Sequence, residues 1–222
     1  MTHTEAGHDE LTSASAETLR ESFPMRSRVQ RLFVLDLLLK AALFALLAVA
    51  VAFPDLAQFE GKAMLGRAIG YPIAVMIVPV AFWLLRRRRS ASTYPFGVDI
   101  LITLPFLIDV VGNALDLYDS ISWWDDVNHF VNWGILVAGF ALLLRRLRIE
   151  PLELAALAVG FGAVTAIVWE LVEYVTFIRN SPELATAYTD TLGDLALGLS
   201  GSIAAALIVA MWRRREAASA VE

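Results

Sequence analysis

The chain has 222 residues, of which 58% are hydrophobic, 18% are charged and none is cysteine. Soluble domains average about a quarter charged and under half apolar residues, so this balance excludes both a disordered chain and an ordinary soluble enzyme. A net charge of −5 offers no whole-chain basic field for nucleic acid, and without cysteine there are no disulfides, thiolate metal sites, iron–sulfur clusters or cysteine nucleophiles.

Residues 1–31 read as a disordered cytoplasmic tail, rich in Ser, Thr, Ala and Glu over its first two-thirds and without a sustained apolar face. A membrane helix needs roughly 20 mostly apolar residues. Six blocks of that length follow, and together they make residues 32–212 one transmembrane domain: Leu32 to Phe53, Met64 to Leu85, Gly97 to Leu117, Asp125 to Leu144, Leu152 to Tyr174 and Thr191 to Trp212. Ala50-Val51-Ala52 resembles a signal-peptidase site, but the block before it is long and holds Asp36 and Lys40, so a retained helix is expected. Those two charges stand one turn apart and can neutralise each other. The third block is the most interrupted, by Asp99, Pro105, Asp109 and Asn113. Residues 213–222 form a second cytoplasmic tail.

Basic residues set the direction. Arg20, Arg26, Arg28 and Arg31, then Arg86 to Arg89, then Arg145, Arg146 and Arg148, then Arg213 to Arg215 hold most of the 18 basic residues, in alternate connections. The positive-inside rule then puts both termini in the cytoplasm. Trp83 and Trp212 fall at the inner ends and Tyr118, Trp123, Trp124 and Tyr174 at the outer ends, as interfacial anchors do. Gly160 and Gly162 in the fifth block, with Gly193, Gly198 and Gly201 in the sixth, suit close helix packing.

The outer ends collect acids: Asp109, Asp116, Asp119, Asp125, Asp126, Glu170, Glu173, Asp190 and Asp194, with His129 and Asn113 among them and Arg179 the one positive charge nearby. Asp125 stands four residues and Asp126 three residues before His129; Glu170 and Glu173 are i, i+3 neighbours; Asp190 and Asp194 are i, i+4 neighbours. Counted from the block ends, His129, Glu170 and Asp194 lie about 4.5 to 6 Å inside, so three helices offer ligand-type groups in one layer. An ionised carboxylate facing lipid costs up to about 2.5 to 3.5 kcal/mol, the value at a helix centre, which turns these groups toward the bundle interior. Three chemistries relieve such crowding. A divalent ion suits oxygen ligands with one imidazole; a proton or cation pathway uses the same residues as a relay; a hydrogen-bonded polar cap merely orients the helices and leaves Asp116, Asp119 and Asp190 solvated.

The order Asp125-x-x-x-His129-Phe130, Glu170-x-x-Glu173 and Asp190-Thr191-x-x-Asp194 resembles the YjdF-like inner-membrane protein family and, more distantly, VanZ-like proteins. The resemblance spans roughly Gly97 to Trp212. It implies Asp125, rather than Asp126, as the partner of His129, and brings both glutamates, Asp190 and Asp194 into one site. Through the VanZ-like proteins it points to the cell envelope. The expectation is therefore an all-α, six-helix protein of the bacterial inner membrane, surrounded by membrane lipids, with an outward-facing carboxylate and histidine pocket. Asp125, His129, Glu170, Glu173, Asp190 and Asp194 would hold a divalent metal ion, with Glu173 or Asp125 as general base toward a lipid or envelope-precursor substrate. A cation- or proton-coupled transporter and a noncatalytic membrane partner are the alternatives.

Overall fold

The computed structural model describes residues 6–86, 93–145, 147 and 149–219. Arg87 to Arg89, Arg146 and Arg148, which contribute to the charge pattern, lie outside the described residues, as do both ends of the chain. The described residues are all helical or connecting, in the order α1 (Ala6–Ala52), α2 (Met64–Val75), α3 (Ile77–Arg86), α4 (Phe96–Ala114), α5 (Leu117–Ser120), α6 (Trp124–Leu144), α7 (Pro151–Thr176) and α8 (Ala187–Ser219). Six stretches are long and apolar enough to span a membrane: Ser27–Ala52, Met64–Arg86, Phe96–Ala114, Trp124–Leu144, Pro151–Asn180 and Ala187–Glu216. The helix of α1 starts at Ala6, well upstream of its membrane-length part, so its backbone is helical through a stretch that composition alone left without structure.

The second span is two helices in line. Pro79 has no N–H to bond the Val75 carbonyl, and Pro72 breaks the ladder two turns earlier; the junction falls at Met76, whose own N–H donates to the Pro72 carbonyl at 3.1 Å. Helix α7 begins with a capping box between Glu150 and Glu153 and a proline at its first position, which is why it starts so sharply.

Helix α4 explains its own interruptions. Asp99, Thr103, Pro105, Asp109 and Asn113 are all buried, so the polar residues that broke up its hydropathy face other helices and not lipid. At its start Lys40 bonds both Asp36, at 2.5 Å, and Asp99, at 2.8 Å, while the Tyr94 hydroxyl donates to Asp99. The sequence pairs Lys40 with Asp36 alone; the fold makes it a trio, and Asp99 is fully buried with Oδ1 unbonded. Burial and the Asp99 carboxylate push the Tyr94 phenol well above its ordinary value.

Two groups of helices result. In one, α1, α2 and α4 share a core of Leu43, Leu47, Tyr71, Val75 and Val110; in the other, α6, α7 and α8 meet at Val137, Ala141, Leu154, Ala158, Ala205 and Ala206. Packing of α4 on α6 joins them. The α6–α8 crossing is close because a Cβ on Gly201 would run into the Phe130 carbonyl, and Gly162 and Gly198 are likewise hemmed in by Ser202 and Trp133. Gly160 and Gly193, by contrast, face open space and serve no packing here.

Candidate metal centre

His129 lies five residues into α6, Glu170 six residues before the end of α7, and Asp194 seven residues into α8. At 1.5 Å per residue these depths differ by about 3 Å, so the three side chains meet. His129 Nε2 stands 3.6 Å from Asp125 Oδ1 and 3.6 Å from Asp194 Oδ1, and Nδ1 stands 3.9 Å from Glu170 Oε1. Candidate ligand atoms of Asp125, His129 and Asp194 lie within 4.8 Å of one another, and so do those of His129, Glu170 and Glu173. His129, Glu170 and Asp194 are buried, whereas the Asp125 side chain is 45% exposed and opens the site to one side.

The spacing decides what the centre can do. Separations of 3.6 to 3.9 Å are too long for direct hydrogen bonds, and His129 Nδ1 is buried without a partner. Two ligand atoms at about 2.1 Å from one divalent ion sit roughly 3.0 to 3.4 Å apart, depending on coordination angle, which a small inward movement of these groups would reach. With Nδ1 turned to Glu170, Nε2 is the nitrogen that faces the two aspartates. Oxygen donors with a single imidazole suit Mg²⁺, Mn²⁺, Zn²⁺ or iron.

Beside this centre runs a second, tightly bonded network. Arg67 Nε donates to Asp109 Oδ2 at 2.9 Å, the Tyr71 hydroxyl donates to the same oxygen at 2.5 Å, and the Tyr118 hydroxyl donates to Oδ1 at 2.8 Å. Asn128 in turn donates to the Tyr118 oxygen, and Asn132 to Asn128 at 2.6 Å. Burial, then the Asp109 charge, push the Tyr118 phenol far above its ordinary value, so it stays a donor. Arg67 also reaches toward Glu173, at 3.8 Å. A cavity of about 90 Å³ lies between the two systems, lined by Arg67, Asp109, Asp125, His129 and Glu173 at one end and by Phe106, Trp133, Leu136 and Trp169 at the other.

A profile of predicted membrane proteins, DUF2238, matches residues 36–215. The chain belongs to that family. It is also similar to an uncharacterised protein of Thermotoga maritima, 26% identical over 183 residues that make up 77% of this chain and 88% of that one. No solved structure matches. The DUF2238 match takes in Asp36, all of the polar network and every residue of the centre.

Of the six residues the sequence nominates, the fold of this DUF2238 member brings Asp125, His129, Glu170, Glu173 and Asp194 together. Asp190 is exposed in the first turn of α8 and joins neither grouping. Asp126 is exposed too, and Asp125 is the aspartate beside His129. The reading that Arg179 alone accompanies the acids is corrected: Arg67 is buried among them and Lys62 holds Asp119 at 2.8 Å. An arginine in the first turn of a span, at the end otherwise poor in positive charge, was the signal that it had a partner. Tyr118 and Trp124 also serve differently from lipid anchors. Tyr118 holds Asp109, and Trp124 covers Gly112, where a Cβ would meet its Nε1 at 2.6 Å.

Proposed function

We propose that this protein is a divalent-metal-dependent enzyme of the bacterial cytoplasmic membrane that acts on a lipid or envelope precursor at the face opposite the arginine clusters. The observation that carries the reading is His129, whose two ring nitrogens face three carboxylates at separations too long for hydrogen bonds and close to those around a shared ion. Asp125, His129 Nε2 and Asp194 hold the ion. Glu170, 3.9 Å from Nδ1, would accept from it once the groups draw in around the ion and so fix the tautomer, a role that carboxylates behind metal-bound histidines commonly have. Glu173, on the cavity wall between Arg67 and His129, is placed to act as general base, with Asp125 the other candidate. The bound ion would polarise a phosphoryl or carbonyl oxygen or activate water. The resemblance to YjdF-like and VanZ-like proteins supports the envelope as the setting.

Elemental analysis of the purified protein tests this. A stoichiometric divalent ion is expected, removable by chelator, with the melting temperature falling on removal and returning with the ion, because a ligand bound only by the folded state stabilises it. Absence of any ion, together with no thermal response to Mg²⁺, Mn²⁺, Zn²⁺ or Fe²⁺, refutes it. One observation favours a second reading as a proton- or cation-coupled transporter: α4 carries Asp99 in the trio at one end and Asp109 at the other, ten residues or about 15 Å apart. Ion flux into protein-loaded vesicles separates the two.

A further inference from the structure

The cavity changes character with depth on each of its four long walls. On α2 Arg67 is followed one turn deeper by Tyr71, on α6 His129 and Asn132 by Trp133 and Leu136, on α7 Glu173 by Trp169, and on α4 Asp109 by Phe106 and Pro105. Leu136 lies seven residues beyond His129, about 10 Å along the helix. A polar mouth over an apolar floor at membrane depth matches an amphiphile and no wholly polar ligand.

The wall between α2 and α7 is unlike the others. Helix α7 packs on α6 and α8, and α2 on α1 and α4, but α2 and α7 share no extended packing among the described residues. Side chains bridge them: the Tyr71 and Trp169 rings, tilted with centroids 6.0 Å apart, and Arg67 with Glu173 at 3.8 Å. Trp169 is the α7 residue that reaches the α1–α2–α4 core. The outward faces of the same two helices carry exposed Ile69, Ile73, Val168 and Val172, so hydrocarbon lies outside the seam.

We infer that the seam between α2 and α7 is a lateral portal through which a membrane lipid enters, its chain lying against Phe106, Trp133 and Leu136 and its headgroup at His129. The substrate class thereby becomes a lipid taken from the bilayer and not a soluble precursor. This rests on the metal-centre reading for what happens to the headgroup, but the chain site stands or falls separately. Trp169 is the gate: Tyr71 is held on Asp109, and Trp169 can swing away from it without any separation of backbones.

The probe is a vesicle of phosphatidylethanolamine and phosphatidylglycerol. Protein reconstituted in it, extracted in detergent and weighed by native mass spectrometry should retain one lipid. Leu136→Trp should cut that retention about tenfold or more, since the added ring atoms overfill the apolar floor, while Ile69→Trp on the outer face should leave it at the parent level. Leu136→Phe, a smaller intrusion, should give an intermediate loss and guards against a misfolded tryptophan variant. Elemental analysis of the same samples should find metal content unchanged in all of them. No retained lipid on the parent, or equal loss from Ile69→Trp and Leu136→Trp, overturns the portal. Lipid retained with the expected Leu136 sensitivity but without metal overturns the metal reading alone, and metal present without lipid overturns the portal alone.

Discussion

Lys40 is the one cation between two buried carboxylates, which makes its removal the sharpest energetic test of the fold. Counted as formal charges, Asp36, Lys40 and Asp99 sum to −1. Lys40→Met keeps the length of the side chain and takes the sum to −2 in a site where the flanking side chains are at most 11% exposed. Removing one partner of a buried pair costs about 3 to 5 kcal/mol, since the remaining charge stays buried and uncompensated. For a chain of this size that is a fall of about 6 to 20 °C in melting temperature. Asp36→Asn moves the sum the other way, to zero, and leaves Lys40 paired with Asp99 and still able to donate to the amide oxygen. Its cost should stay near 1 kcal/mol or below. Thermal unfolding in detergent, followed by far-ultraviolet circular dichroism, measures both. The Lys40→Met/Asp36→Asn double variant should melt above Lys40→Met, because the second change removes one of the two stranded charges. Equal losses from Lys40→Met and Asp36→Asn, or a Lys40→Met protein that melts with the parent, would refute the reasoning.

Asp125→Asn, which removes charge at nearly constant volume, should reduce metal content about as severely as His129→Ala, while Asp126→Asn on the exposed side should leave it close to the parent; equal effects of the two asparagine variants in elemental analysis would sink this. Gly201→Ala should destabilise by about 1 to 3 kcal/mol as its Cβ drives the Phe130 carbonyl away, whereas Gly193→Ala, with nothing nearby, should melt with the parent or slightly above it. A reporter active only outside the cytoplasm should be active when fused after Asp119 and silent after Arg88 or Arg215; activity after Arg215 would mean an odd number of crossings.

Features set by local spacing were legible before the fold was known. The six spans follow from hydrophobic runs between arginine clusters, and one helical turn puts an aspartate beside His129, with the family resemblance, not the spacing, favouring Asp125 over Asp126. Counting depth from the helix ends brought His129, Glu170 and Asp194 to one level, even though α8 starts four residues earlier than its apolar block and Asp194 therefore sits deeper than that count gave. Pairings between helices distant in sequence were not legible. Arg67 meets Asp109 across 42 positions and Lys40 meets Asp99 across 59, and nothing in the periodicity of either helix says which neighbour it will face. The break at Met76 was hidden for another reason. Pro72 and Pro79 leave the block uniformly apolar, and hydropathy registers polarity, not backbone geometry.

The two polar systems at the acidic end differ in one respect that separates scaffold from working site. Asp109 receives Arg67, Tyr71 and Tyr118 at 2.5 to 2.9 Å, so its charge is matched and its lone pairs are filled. A satisfied network of this kind fixes geometry and has nothing left to offer a ligand. At the His129 centre the imidazole is left unmatched. Asp125 and Asp194 have a ring nitrogen at 3.6 Å as their basic neighbour, and Nδ1 is buried with no bond at all. Leaving buried polar groups unmatched costs stability, and the chain keeps that cost one turn away from a network that shows it can avoid it. The Asp109 network therefore holds α2, α4 and α6 in register, and on the proposed reading the His129 centre is where an incoming ion would complete the coordination that the fold leaves open.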